Sequence, residues 1–68
     1  MNPQKCLSLN VRKFREKKKW SQEKLAEISG LHRTYVSGIE RGVRNPTLTV
    51  LNQLAIALEV NISDLLSV

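Results

Sequence analysis

Arg33, Thr34 and Ser37 fall on one side of a short stretch that opens at His32, and all four side chains can hydrogen-bond without help from a catalytic partner. An arginine offers a rigid fork of N–H donors that fits the paired acceptors of guanine, hydroxyls donate or accept, and a neutral imidazole does either. Upstream, Gln22 sits where a helix begins, so its amide could donate to a phosphate beside free backbone amides and the positive end of the helix dipole. The chemistry on offer is recognition of base edges and phosphates. Each residue also has a blander reading. Arg33 could be merely solvated, Thr34 and Ser37 could touch a base, a phosphate or nothing, and His32 could serve only as a helix cap. Arginine to guanine is the commonest specific base contact, and the position of Arg33 at a helix start favours readout.

Bond-making chemistry has little to stand on. Cys6 is the only cysteine and His32 the only histidine, and they fall in different predicted elements. One cysteine allows no internal disulfide and no four-cysteine zinc site, which suits a reducing cytoplasm. No carboxylates cluster, so neither an enzyme nor a metal or cofactor site is expected. The longest apolar run, Leu54 to Leu58, is far short of the roughly 20 residues a membrane helix needs. No apolar run of the required length follows the first lysine, so a secretion signal is not expected either.

The 68 residues carry eleven Lys and Arg against six Asp and Glu, a formal charge of +5. All eleven cations lie between Lys5 and Arg44 with four acidic residues, a local charge of +7, whereas Asn45 to Val68 holds only Glu59 and Asp64, or −2. A basic front and an apolar, faintly acidic rear suit a polyanion on one side and protein on the other. Aromatics are only 4% of a chain that is 41% hydrophobic, so the core must come from Leu, Ile, Val and Ala. An all-helical fold, one domain over residues 1–68, is the expectation.

These residues need helices to hold them. Asn2-Pro3 can cap and start a first helix, whose stripe is Leu7, Val11 and Phe14 and whose end lies near Lys18. Lys17, Lys18 and Lys19 would complement its C-terminal dipole, and Cys6 is expected to pack. Ser21 caps a second helix with Leu25, Ala26 and Ile28 inward; Gly30 ends it and Leu31 plugs the corner. Trp20 reads as a core staple ahead of that cap. From His32 or Arg33 to Arg41 only Val36 and Ile39 form an apolar stripe, so this third helix faces mostly outward until Gly42 stops it. Gly38 inside it costs about 1 kcal/mol relative to alanine and asks for a close approach by DNA or a neighbouring helix. Lone Tyr35 argues against single-strand binding, which wants several stacking aromatics. After Asn45-Pro46-Thr47, Leu48, Leu51, Leu54, Ala55 and Leu58 mark a fourth helix, and Asn61 with Asp64 forms a capping box for a short fifth through Leu65 and Leu66.

Ser21-Gln22-Glu23-Lys24-Leu25-Ala26, Gly30-Leu31 and Arg33-Thr34-Tyr35-Val36-Ser37-Gly38-Ile39-Glu40-Arg41-Gly42, continued by Arg44-Asn45-Pro46-Thr47-Leu48, resemble the lambda-repressor-like helix-turn-helix family. Arg33 to Arg41 is further similar to controller proteins of restriction-modification systems. The resemblance implies a five-helix domain with helices 2 and 3 as the helix-turn-helix, helix 3 in the major groove, and a dimer through the last helices. On it, Arg33, Thr34 and Ser37, with His32, would read bases, while Gln22, Tyr35, Arg41, Arg44 and Asn45 would hold phosphates. Arg15 would pair with Glu40 as a structural contact. Ile62, Leu65, Leu66 and Val68 are apolar residues that a chain this small has reason to bury against a second copy. The expected function is transcriptional regulation by a homodimer on a pseudo-palindromic double-stranded operator, by blocking RNA polymerase or by touching it. The alternative is an antitoxin or another protein-interaction module built on a DNA-binding fold.

Overall fold

In a computed structural model the backbone is described from Pro3 to Val68 and side chains from Lys5 onward, so the expected Asn2 cap lies outside the described residues. Five helices follow one another: α1 (Pro3–Lys17), α2 (Gln22–Ser29), α3 (Arg33–Glu40), α4 (Leu48–Leu58) and α5 (Ile62–Leu66). No strand occurs among the described residues.

Local chemistry sets most boundaries. The Ser21 hydroxyl accepts from the Lys24 amide at 3.0 Å and opens α2. Gly30 closes it in the left-handed region at φ 77°, and the amides of Gly30 and Leu31 both donate to the Ala26 carbonyl. Thr47 caps α4 through the Val50 amide. At α5 the capping box is complete, with the Asn61 amide donating to Asp64 Oδ2 at 3.0 Å. His32 stands at the cap of α3 without a side-chain cap bond.

α1 packs against α3, α4 and α5, α2 packs against α3 and α4, and α4 against α5. The core they enclose is Leu7, Val11, Leu25, Ala26, Val36, Ile39, Leu54, Ala55, Ala57, Leu58 and Leu65, rimmed by Phe14, Trp20, Leu31, Tyr35, Leu51 and Ile62. Cys6 is buried beside them. Ile28 and Leu48 depart from the expected inward face. Ile28 is about half exposed because α2 turns Leu25, Ala26 and Ser29 inward, a centre that lies roughly a quarter turn away. Leu48, in the first turn of α4, is 71% exposed, since the residues of that helix that meet the core begin with the partly buried Val50 and Leu51 and continue with the buried Leu54.

Two polar contacts cross between elements far apart in sequence. The buried Ser8 hydroxyl donates to the Ile39 carbonyl at 2.8 Å, joining α1 to the end of α3. Asn10 Nδ2 donates to the carbonyls of Leu65 and Ser67 at 3.0 and 2.7 Å, fixing α5 on α1. Among the described residues no buried side-chain nitrogen or oxygen lacks a partner.

The strongest polar tie is the pair expected from resemblance. Arg15 grips Glu40 with two parallel bonds, Nε to Oε2 at 2.7 Å and Nη2 to Oε1 at 2.9 Å, with the two side chains only 12% and 4% exposed. Arg15 Nη1 also donates to the Trp20 carbonyl at 2.8 Å, and the adjacent carboxylate raises the Arg15 pKa above its ordinary value. Removing one partner strands a buried charge, so Glu40→Ala should cost about 3 to 5 kcal/mol, whereas Arg15→Met with Glu40→Leu should recover much of it. Urea melts of the three proteins measure this; equal losses for the single and the double variant would contradict it.

At the surface, Lys18 Nζ lies 2.8 Å from Glu59 Oε1 and 5.1 Å from the centre of the Trp20 ring. This hydrogen bond, reinforced by the ammonium charge, lowers the Glu59 pKa from its ordinary value of 4.5. A lowered folded value means the contribution is present at neutral pH and is lost as pH falls through the range below 4.5. An NMR titration should find Glu59 below the ordinary range and Lys18→Met should return it there; an unchanged midpoint would show that Lys18 is not the cause.

Candidate nucleic-acid interface

The outward face of α3 is built by subtraction. Val36, Gly38 and Ile39 are buried, so residues 33, 34 and 37 are left on the other side of the helix. His32, Arg33 and Thr34 are exposed at its start, and Ser37 is half-buried one turn on. The structure thus brings the four candidate base readers onto one surface at the first two turns. Glu40, the only acidic residue of α3, is turned inward and matched by Arg15. The exposed side of the helix therefore carries cationic and neutral donors with no anion among them, as a phosphate-lined groove requires.

Arg41, Arg44 and Asn45 are all exposed in the segment that follows α3. Gly42 turns the chain at φ 76°, after which the amides of Val43 and Arg44 return to the Gly38 carbonyl at 3.0 and 3.2 Å. Arg44 is thereby folded back along α3, its guanidinium 5.6 Å from the centre of the Tyr35 ring. Tyr35 is half-buried with its ring packed against the core. Gly38 does require a close approach, as its sequence context suggests, but the neighbour is the Arg44 side chain.

Gln22 is placed differently from its expected use. Its Nε2 donates to Glu40 Oε1 at 3.1 Å, which draws it into the Arg15–Glu40 cluster. One of the two amide N–H groups is thus committed inside the protein.

The apolar residues expected at a dimer seam divide. Leu65 is 0% exposed and belongs to the chain's own core, so it has no surface to offer a second copy. With five residues, α5 turns one side chain fully inward, and Asn10 on the neighbouring carbonyls holds it there. Ile62 is partly buried against the same core, whereas Leu66 is 43% exposed and Val68 fully so. Ile56, which the sequence reading passed over, is 69% exposed on α4. A signal for it existed: two residues from both Leu54 and Leu58, it falls on the far side of the helix from them.

Among the described residues no group of histidine, cysteine or carboxylate side chains is arranged to hold a metal ion. Among the same residues no helix is long and apolar enough to cross a membrane.

Residues 11–65 match the family described as Helix-turn-helix. The control protein C.SmaI of Serratia marcescens is 49% identical over 67 residues, covering 98% of this chain and 80% of its own length. The control protein C.BamHI of Bacillus amyloliquefaciens is 51% identical over 57 residues, covering 82% of this chain and 70% of its own. The structure of hypothetical transcription factor NHTF from Neisseria superposes with a TM-score of 0.94 at 44% identity, over 97% of this chain and 76% of that one. The restriction-modification controller protein C.AhdI from Aeromonas hydrophila does so at 0.88 and 42% identity, over 91% and 94%. The match of the family pattern across α2, the Gly30 turn and α3, together with these shared five-helix folds, shows that the chain belongs to the helix-turn-helix family.

Proposed function

We propose that the protein is a sequence-specific double-stranded DNA-binding transcriptional regulator, a homodimer on a pseudo-palindromic operator, controlling genes of a restriction-modification system. The observation that carries this reading is the anion-free face of α3, with Arg33 and Thr34 at its first turn and Arg41, Arg44 and Asn45 exposed in the segment that follows it. On this surface Arg33, Thr34 and Ser37 read bases beside His32, while Tyr35, Arg41, Arg44, Asn45 and the second N–H of Gln22 hold phosphates. The likeness to control proteins supports the restriction-modification assignment.

Two such helices must lie about 34 Å apart to enter successive major-groove turns, which calls for a second copy in fixed register. Ile56, Leu66 and Val68 supply exposed apolar surface on the α4–α5 side, away from the basic half of the sequence. In this reading the dimer represses by covering a promoter and activates by meeting RNA polymerase from an adjacent site; it resides in the cytoplasm with the DNA. The domain comprises the whole span 1–68.

Selection from a pool of random duplexes at moderate salt should enrich a two-fold symmetric motif, and failure to enrich any motif would defeat the reading. Arg33→Ala should relax preference at one base pair per half-site and cost roughly 1 to 3 kcal/mol there, while Arg44→Ala should weaken all sequences alike. Dimerisation has its own check in sedimentation. Ile56→Glu places a charge on the proposed seam and should shift the protein toward monomer without lowering helix content; an unchanged association constant would remove Ile56 from the interface.

A further inference from the structure

Gly38 is buried in the middle of α3, where glycine is the least favourable residue short of proline. Its conformation does not require glycine, since the positive-φ glycines are Gly30 and Gly42. What requires it is space: a Cβ built there runs into Arg44 Cγ, and the next two atoms it meets are Arg44 Cβ at 3.4 Å and Cδ at 3.6 Å. The side chain of Arg44 therefore lies across the bare backbone of Gly38, its own amide bonded to the Gly38 carbonyl and its guanidinium over the Tyr35 ring one turn earlier.

We propose that Gly38 is a positioning residue for Arg44: its missing side chain opens the channel that lays this arginine along α3 and presents its charge at the DNA face before DNA arrives. This rests on the phosphate role of Arg44 proposed above. A long arginine free in solvent must surrender rotamer freedom on binding, whereas one already seated over Gly38 and stacked on Tyr35 surrenders less. Positions 35 and 38 share a side of the helix, so the channel and the aromatic platform form one track.

Gly38→Ala tests this, because it blocks the track while adding the residue most favourable to a helix. Two readouts separate positioning from folding. The first is the NMR shift of the Arg44 side-chain protons, which the nearby Tyr35 ring displaces in the native protein and which should move toward free-arginine values in Gly38→Ala. The second is affinity for a fluorescein-labelled random-sequence duplex across a salt series. Gly38→Ala and Arg44→Ala should each weaken binding by about tenfold and lower the salt slope by about 0.9 per protomer. Gly38→Ala should add nothing in the Arg44→Ala background, and circular dichroism should show both variants fully helical.

Native-like shifts and salt slope in Gly38→Ala, with a shallower slope in Arg44→Ala, would overturn this inference alone. A native slope in Arg44→Ala would overturn the phosphate role of Arg44 and this inference with it. A Gly38→Ala defect that persists undiminished without the Arg44 side chain would also overturn it, since the glycine would then act on something else.

Discussion

A nearly buried ion pair between Arg15 and Glu40 holds the recognition element at a fixed angle to the rest of the molecule. The guanidinium reaches from α1 to the last residue of α3 and, through the Trp20 carbonyl, to the chain entering α2; Gln22 adds α2 itself by bonding the same carboxylate. Four pieces of chain therefore meet on two side chains. Two charges withdrawn from water are stable only when their hydrogen-bonding capacity is nearly filled, and here both carboxylate oxygens and three guanidinium nitrogens have partners. Such a cluster tolerates little sliding, because a shift of an ångström would strand a charge. An apolar contact of similar size would have permitted neighbouring registers.

The same pair shapes the electrostatics of the proposed DNA face. Glu40 is the only acid in α3, and turning it inward against Arg15 removes an anion from the surface that would have repelled phosphates. Stability and function are thus served by one rotation of the helix. Val36 and Ile39 bury one side, Glu40 is neutralised at the edge, and the remaining side is left to Arg33, Thr34 and Ser37. Gly38 and Gly42 then let the following segment double back, so that Arg44 joins a surface to which it is not adjacent in sequence.

Apolar surface is divided unevenly between this unit and its surroundings. Among the described residues eleven form the core with Cys6 buried beside them, while Leu48, Ile56, Leu66 and Val68 remain outside on or after the last two helices. A small chain has little interior, so where two helices both offer leucines only those facing the shared axis are enclosed. Leu65 takes that place and Leu66, one residue on, is turned away from it.

Helix starts and stops were readable from the sequence because they depend on partners within three or four residues. Ser21, Thr47 and the Asn61–Asp64 box satisfy nearby amides, and Gly30 and Gly42 take up the left-handed backbone that ends a helix. The helix-turn-helix and the residues outward on α3 follow from those limits and from the sparse stripe of Val36 and Ile39. Tertiary structure decided what depends on elements distant in the chain. Asn10 reaches α5, Gln22 gives an N–H to Glu40, Ile28 and Leu48 face solvent, Leu65 is enclosed while Ile56 is not, and Arg44 fills the space above Gly38. Periodicity says that a helix has an apolar side, but which residues at its margins are covered depends on where neighbouring helices cross it, and that crossing is set by packing and by buried polar ties between remote residues.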